Sequence, residues 1–248
     1  LVSGRFMPEV LEAAATGIAQ AMRQAYDTRT RAAVGHGTLT QTDLTHNRRF
    51  GDGPSDPQVG VILVEDADGN PISVVANMAA HPTSVGDEDQ YTVSADYPGF
   101  YCSHLEALTR PECVPLFLNG TQGNQTIGSP PQNKTDWGRT EAEGRTLAER
   151  VKEALPSITC GEATLRVASA EPDLPLSLAG DMMPRKVLLQ ALEINDLLVT
   201  FLPGEACVEI GLELRRRALE KGYAAQFSVG LANDYLMYFT PRSLYAEY

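Results

Sequence analysis

Four apolar segments of this sequence have the pattern of buried strands, and each is followed at once by a polar, turn-rich segment. The four pairs are 72–80 with His81 to Ser84, 114–118 with Asn119 to Thr126, 197–202 with Pro203 to Glu205, and 227–231 with Asn233 to Tyr238. In a sheet covered by helices, the carboxyl ends of parallel strands meet at one edge, where ligands and catalytic groups collect. The pattern therefore predicts that His81, Glu205 and Tyr238 meet at one rim of the fold.

Strand-like and helix-like segments alternate along the chain. Residues 59–64 and 72–80 flank an Asp-Gly turn and predict a hairpin, which makes the sheet mixed rather than purely parallel. Periodic apolar residues predict helices over 8–26, 96–108, 140–155 and 204–219, and further strands are predicted over 163–167, 187–194 and 226–231. We therefore predict an α/β fold of one domain, in which a mixed β-sheet is flanked by helices on both faces.

The charge balance of the chain excludes some classes of partner. Its 248 residues carry 32 acidic and 20 basic side chains, a formal net charge of −12. A protein that grips phosphate backbones needs a basic face, so we expect no nucleic-acid partner. The acidic balance also disfavours electrostatic docking to anionic membranes, and no apolar stretch is long enough to predict a transmembrane segment.

The residues at the predicted rim also have purely structural interpretations. A histidine between a strand and a proline, as His81 is, is often a hydrogen-bonded structural residue. Glu205 fits an acidic residue in the first turn of a helix. Tyr238 fits a core aromatic with a polar tip, and Arg48 fits a solvated surface charge. The common dinucleotide, phosphate, zinc-protease and serine-hydrolase motifs do not occur in the sequence. Taken alone, these residues indicate an α/β enzyme of unspecified reaction.

Short segments between Thr45 and Tyr238 resemble, in order, the catalytic domain of the neutral/alkaline (non-lysosomal) ceramidases. Each of them matches one short family motif, and no single segment is decisive. The segments are Thr45-His46-Asn47-Arg48-Arg49, Ala79-Ala80-His81-Pro82-Thr83-Ser84, Ser94-Ala95-Asp96-Tyr97-Pro98-Gly99, Phe117-Leu118-Asn119-Gly120-Thr121-Gln122-Gly123-Asn124, Leu202-Pro203-Gly204-Glu205 and Asn233-Asp234-Tyr235-Leu236-Met237-Tyr238.

This resemblance implies a zinc-dependent amidase that cleaves the N-acyl bond of ceramide to sphingosine and a fatty acid by metal-activated water. His81, Glu205 and Tyr238 match three of the family's zinc ligands. A nitrogen and oxygen ligand set suits Zn²⁺, which is therefore the expected cofactor. Arg48 matches an active-site arginine that holds a substrate oxygen.

Two departures from the family pattern concern the ends of the sequence. The first zinc histidine of the family lies in a His-x-His element upstream of the helix that begins here near Pro8, and no such element precedes Pro8. His36 and His46 lie downstream and do not replace it by position. A second family tyrosine would fall beyond Tyr248. We therefore expect residues 1–248 to be part of one ceramidase-like catalytic domain that lacks its N-terminal His-x-His region and a C-terminal portion.

A third departure concerns the loop that carries the family's serine. Where the family has Gly-Asp-x-Ser-Pro, this chain has Gly123-Asn124-Gln125-Thr126, followed by Ser129-Pro130. Without a gap in the alignment, Thr126 takes the place of the serine. With a three-residue insertion, Ser129 does. Both therefore remain candidates for the catalytic hydroxyl.

Three hypotheses about function follow from the sequence. The leading one is a zinc-dependent hydrolase that acts on ceramide, a related N-acyl lipid or another N-acyl small molecule. The second is a catalytically silent ceramidase-like domain that binds a lipid or a glycan. The third is a metal-independent hydrolase in which His81 is the base for Thr126 or Ser129. The resemblance also implies a secreted, periplasmic or extracellular location, whereas the oligomeric state is left open.

Overall fold

The computed structural model of the chain describes residues 6–85, 93–128, 137–173 and 186–244. The described part contains four α-helices and twelve β-strands. The helices are α1 (Pro8–Asp27), α2 (Asp96–Leu108), α3 (Trp137–Ala154) and α4 (Val208–Glu220). The strands are β1 (Ala33–Thr40), β2 (Thr45–Asn47), β3 (Gln58–Glu65), β4 (Pro71–Met78), β5 (Val114–Asn119), β6 (Gln125–Ile127), β7 (Leu165–Ala170), β8 (Leu189–Ile194), β9 (Leu197–Phe201), β10 (Glu205–Ala206), β11 (Ala225–Val229) and β12 (Tyr238–Phe239).

Helix α1 belongs to a unit of its own, residues 1–32, whereas residues 33–248 form the second unit. Its position agrees with the prediction from sequence, and Pro8 stands in its first turn, where a missing N–H costs nothing. None of the described side chains of α1 is buried. In the described part of the chain, no helix combines the length and apolar character that a membrane crossing needs.

Two four-stranded mixed sheets form the framework of the second unit. The first sheet has the order β1-β3-β4-β5, with β4 and β5 parallel, and the second has the order β11-β9-β8-β7, with β11 and β9 parallel. The predicted α/β class with mixed strand directions is confirmed. The structure divides the strands between two sheets, a detail that the alternation of strands and helices along the chain does not specify.

Each sheet contains one β-α-β unit. Helix α2 connects the parallel strands β4 and β5, and helix α4 connects the parallel strands β9 and β11. Parallel neighbours require such a crossover, because a tight turn can only join antiparallel strands. The two units therefore bring the carboxyl ends of β4 and β5, and those of β9 and β11, to the edges of their sheets where polar segments follow.

Strand β3, inside the first sheet, is buried on both faces, which explains why it is apolar at nearly every position. Val59, Val61 and Leu63 face the side covered by α2 and α3, where Tyr101 and Leu147 are fully buried. Alternate side chains of β3 and β4 face the second sheet and form another core with its strands β9 and β11. Side chains of a strand alternate between faces, so a strand covered on both sides reads as a continuous apolar run.

The contact between the two sheets depends on a glycine in β3. A Cβ atom at Gly60 would lie 2.4 Å from the ring of Phe227, which is buried in β11. That separation is far below a van der Waals contact, so only glycine lets the Phe227 ring approach the backbone of β3. In the core between the two sheets, the Phe227 ring therefore packs directly against the backbone of Gly60.

Candidate active site

The site lies where the polar segments that follow β4, β9 and β11 come together. His81 follows β4, Glu205 opens β10, and Tyr238 opens β12. Strands β10 and β12 pair in parallel with Glu205 opposite Tyr238. The structure thus brings together His81, Glu205 and Tyr238, as predicted from the order of strands and polar segments.

His81 contacts Glu205 through one ring nitrogen and the backbone through the other. Its Nε2 lies 2.5 Å from Glu205 Oε2, and its Nδ1 lies 3.0 Å from the backbone carbonyl oxygen of Gln125. A carbonyl oxygen only accepts hydrogen bonds, so Nδ1 carries a proton and donates to it. Nε2 faces the carboxylate: with a proton it donates to Glu205, and without one it is the atom free to bind a metal.

Glu205 is buried but ionised at neutral pH. Burial raises the pKa of its carboxyl group, but hydrogen bonds from Tyr235, His81 and Tyr238 outweigh burial and hold the pKa below its ordinary value. The Tyr235 hydroxyl donates to Oε1 at 2.8 Å, on the side of the carboxylate away from His81. Such hydrogen bonds stabilise the charged form.

Arg48 is the cation of the site. Its Nη2 donates to the Tyr238 hydroxyl and to the carbonyl oxygen of Gly123, each at 2.9 Å. Burial raises the pKa of Tyr238, and the arginine beside the phenol lowers it only in part, so the pKa stays above its ordinary value. Arg48 and Glu205 thus both contact the Tyr238 hydroxyl.

Gly123 allows the loop after β5 to reach the site. Its N–H donates to the Ala206 carbonyl at 2.8 Å, and a Cβ atom at this position would lie 2.7 Å from the backbone oxygen of Glu205. Any side chain here would push the loop away from Glu205. Gly123 therefore holds the carbonyl oxygen that bonds Arg48 close to the backbone of Glu205.

Thr126, one of the two candidate hydroxyls, lies on β6 between β2 and the segment that follows β4. Its backbone pairs with His46 on one side and with His81 on the other. Its Oγ1 lies 2.7 Å from the Oγ1 of Thr83, whereas both ring nitrogens of His81 contact other groups. The structure thus places Thr126 beside His81 with its hydroxyl against Thr83. Ser129, the other candidate, lies outside the described residues.

Of the two other histidines considered from the sequence, His36 lies away from the site, whereas His46 lies opposite Thr126 on the paired strand β2. His36 Nε2 is 2.8 Å from Asp196 Oδ1, in the turn that precedes β9, whereas Glu205 follows the opposite end of that strand. Burial lowers the pKa of His46, and its buried Nδ1 has no hydrogen-bond partner among the described residues.

Tyr235 and Gln125 contribute contacts that the prediction of site residues did not include. Tyr235 stands three positions before Tyr238 in the segment that resembles the family, so that spacing was an available signal. Gln125 acts through its backbone carbonyl, which every residue possesses. No side-chain pattern could have identified it.

The residues present fit a zinc ion by the chemistry of their donor set. His81 Nε2, a Glu205 carboxylate oxygen and the Tyr238 phenol oxygen are one nitrogen and two oxygen donors, and zinc accepts both kinds. Within the described ranges, no three or more His, Cys, Asp or Glu side chains group closely enough to hold a metal. A zinc site here therefore requires the tyrosine as a donor, as the resemblance implies.

Comparison with known proteins identifies the fold. No protein-family model and no curated protein matches the sequence. The crystal structure of neutral ceramidase from Pseudomonas aeruginosa superposes with a TM-score of 0.77 at 17% identity, over 98% of this chain and 52% of that chain. A ceramidase complexed with C2 superposes with a TM-score of 0.69 at 17% identity, over 88% of this chain and 49% of that chain.

These likenesses confirm the predicted resemblance at the level of the fold. The chain has the fold of neutral ceramidase along nearly its whole length, and it spans about half the length of the solved structures that it matches.

Proposed function

We propose that this chain carries residues of a zinc-dependent amide hydrolase that cleaves an N-acyl bond, in ceramide or in a related N-acyl compound. The observation that carries the proposal is the contact between His81 Nε2 and Glu205 Oε2, with Tyr238 and Arg48 beside it. The ceramidase fold supports it, because the residues that match the family's zinc ligands in sequence lie close together in this chain.

His81, Glu205 and Tyr238 would hold the zinc ion. Bound zinc would polarise the acyl carbonyl and activate water at neutral pH. The Gln125 carbonyl keeps the proton of His81 on Nδ1, and such a contact orients a metal-binding imidazole. The ionised Glu205 adds a negative charge, which favours binding of a divalent cation.

Arg48 would hold the acyl oxygen of the substrate. Its guanidinium is oriented by the Gly123 carbonyl and the Tyr238 hydroxyl, so it needs no reorganisation when negative charge develops on that oxygen. In a reaction with activated water, Thr126 or Ser129 would donate a hydrogen bond to the leaving amide nitrogen. In the metal-independent alternative, the hydroxyl would attack the acyl carbon and break the amide bond, and His81 would pass the hydroxyl proton to the leaving amine. Exchanging each for alanine separately distinguishes them.

Zinc content tests the metal part of the proposal. The protein extended on its N-terminal side to include the family's His-x-His element is expected to hold about one zinc ion per chain when it is purified without chelators. In that protein, His81→Ala and Glu205→Ala are expected to lose the zinc. His104→Ala is the matched control, because His104 pairs with Glu141 and lies outside the site. Absence of zinc from the extended wild-type protein at neutral pH would defeat the proposal.

Release of a fatty acid from an N-acylated sphingosine tests the reaction. For the protein extended to include the family's His-x-His element and second tyrosine, hydrolysis that is abolished by a chelator and by Glu205→Ala is the expected result. Zinc binding without hydrolysis of any N-acyl substrate would favour a lipid- or glycan-binding domain. Hydrolysis that resists the chelator would favour His81 as a base for Thr126 or Ser129 instead.

The proposal also includes the cell compartment. The resemblance to the ceramidases favours a secreted or periplasmic location. Immunodetection of the protein in separated medium, periplasm and cytoplasm tests this location. Recovery of the protein in the cytoplasm alone would remove this part of the proposal without affecting the reaction.

A further inference from the structure

Asn124 is completely buried, and both polar atoms of its side chain are engaged. Its Oδ1 accepts a hydrogen bond of 2.8 Å from the N–H of Val208, the first residue of α4. Its Nδ2 donates to Glu209 Oε2 at 2.9 Å. The two contacts require opposite ends of an amide, because an N–H only donates and a carboxylate only accepts.

The backbone around Asn124 connects the two sides of the active site. Its carbonyl oxygen accepts a hydrogen bond of 2.9 Å from the N–H of Arg48. The preceding residue, Gly123, bonds the Arg48 side chain and the Ala206 carbonyl. Asn124 therefore lies between Arg48 and the segment that runs from Glu205 into α4, and it makes hydrogen bonds to both.

An aspartate at this position would face Glu209 with a second carboxylate. At the observed separation of 2.9 Å, two negative charges in a buried site repel strongly, so one of them would have to take up a proton or move away. The amide of Asn124 is thus matched to the carboxylate of Glu209. The position is also where the ceramidase motif, Gly-Asp-x-Ser-Pro, differs from this chain.

We infer that Asn124 and Glu209 form a positioning pair, which fixes Glu205 relative to Arg48 and His81 and thereby sets the affinity of the metal site. This inference rests on the proposed zinc site. Glu205 lies three residues before α4, so the Val208 contact of Asn124 contributes to the position of the Glu205 backbone. Residues that orient metal ligands typically contribute 10- to 100-fold to metal affinity.

An exchange of the two chemical groups tests the pair. Asn124→Asp is expected to weaken zinc binding by about 10- to 100-fold in a competitive chelator titration. The double variant Asn124→Asp/Glu209→Gln restores one carboxylate and one amide, and its zinc affinity is expected to return towards the wild-type value. Glu213→Gln is the matched control, because Glu213 is an exposed acid on the same helix that pairs with Arg216 and Arg217.

A second measurement needs no metal. The C2–H proton resonance of His81 in the metal-free protein, identified by its loss in His81→Ala, reports the surroundings of the ring that contacts Glu205. At one fixed pH, it is expected to shift in Asn124→Asp and to return in the double variant. Should Asn124→Asp fail to fold, Glu209→Ala leaves the Val208 contact in place and is expected to shift the same resonance.

The outcomes separate the pair from the proposed function. An unchanged His81 resonance together with unchanged zinc affinity in a folded Asn124→Asp protein would overturn the positioning role. Lower thermal stability alone would also overturn it, because the pair would then only anchor α4. Absence of zinc from the wild-type protein extended to include the His-x-His element would defeat the proposed function, whereas the resonance would still decide whether the pair positions the site.

Discussion

Glu205 illustrates how a buried side chain keeps its charge. Only 10% of its side chain is exposed, and burial by itself would favour the neutral acid. Two tyrosine hydroxyls and a histidine nitrogen surround the carboxylate, and their hydrogen bonds lower its pKa. The ionised state therefore depends on these hydrogen bonds, and both tyrosines, Tyr235 and Tyr238, lie in one short segment after β11.

Exchange of Arg48 for lysine tests the role of the guanidinium. Lysine keeps the charge, but its shorter side chain ends in a rotatable ammonium, which does not reproduce the rigid, planar guanidinium whose Nη2 bonds both Gly123 and Tyr238. We expect kcat/KM for an N-acyl substrate to fall roughly 100-fold, as when one preorganised donor is removed, with zinc content retained. Arg49→Lys, the same exchange at an exposed neighbour, is the control and is expected to leave kcat/KM unchanged. Equal activity of both variants would contradict the proposed role of Arg48.

Helix α4 is held by an ion pair far from its first turn. Arg215 bonds both carboxylate oxygens of Asp56 and thereby joins the helix to the segment that precedes β3. The side chain of Asp56 is 6% exposed and that of Arg215 is 19% exposed. Helix α4 is therefore fixed at two points. Its first turn contacts Asn124, and Arg215 farther along the helix binds Asp56.

Removal of one partner of this pair is expected to be costly. Asp56→Ala leaves the Arg215 charge largely buried without its partner, and we expect the free energy of unfolding to fall by about 3 kcal/mol in urea denaturation. The double variant Asp56→Ala/Arg215→Ala should lose less than the sum of the single variants. Asp52→Ala, at an exposed position in the same segment, should change stability little. A loss at Asp56 no larger than at Asp52 would contradict this account.

Helix α3 has an exposed ion pair that makes the stability of the fold depend on pH. The Arg150 guanidinium bonds both oxygens of Asp43 and lowers the pKa of that carboxyl group below its ordinary value. The stabilisation is present above the pKa of unfolded Asp43 and is lost as pH falls through the folded value. For an exposed pair, we expect about 0.2–1 kcal/mol at pH 7.

Comparison of wild type with Asp43→Asn checks this sign. The wild type should be more stable by that amount at pH 7, and the difference should vanish as pH falls below 4. Urea denaturation between pH 7 and 3 measures it, with Asp68→Asn in an exposed turn as the control. A difference that grows towards low pH would contradict the assignment.

Strand β1 shows why one element of the sheet escaped prediction. It contains Gly35 and Gly37, and glycine is unfavourable in strands. Cβ atoms at these positions would lie 2.5 Å from the backbone of Thr159 and 2.9 Å from the side chain of Ile158. The glycines are there because another segment approaches β1 closely, and that approach is a tertiary contact with no local sequence signal.

At the scale of the whole molecule, the packing between the two sheets is sensitive to side-chain volume at Gly60. Gly60→Ala would push a methyl group into the Phe227 ring, and we expect it to lower the free energy of unfolding by about 1–3 kcal/mol. Gly60→Ala/Phe227→Leu should recover part of the loss. Gly161→Ala, where a Cβ meets nothing within 4 Å, is the control for the exchange itself. Equal stability of Gly60→Ala and Gly161→Ala would show that the sheets adjust without cost.

The sequence by itself determined the order and type of the longer elements and the polar segments that follow them. Predicted helix 96–108 coincides with α2, and the predicted strands at 59–64 and 114–118 coincide with β3 and β5 within two residues. Their apolar periodicity is a local property of the chain, so it can be read before any contact is known.

Only the tertiary structure decided that the strands form two sheets and which atoms meet at the site. The Gln125 carbonyl on His81, the Tyr235 hydroxyl on Glu205 and the amide of Asn124 between Val208 and Glu209 join residues far apart in sequence. Such contacts depend on how sheets, loops and the first turn of α4 pack together in space. Hydrophobic pattern specifies which face of an element is buried, but it does not specify the partner that buries it.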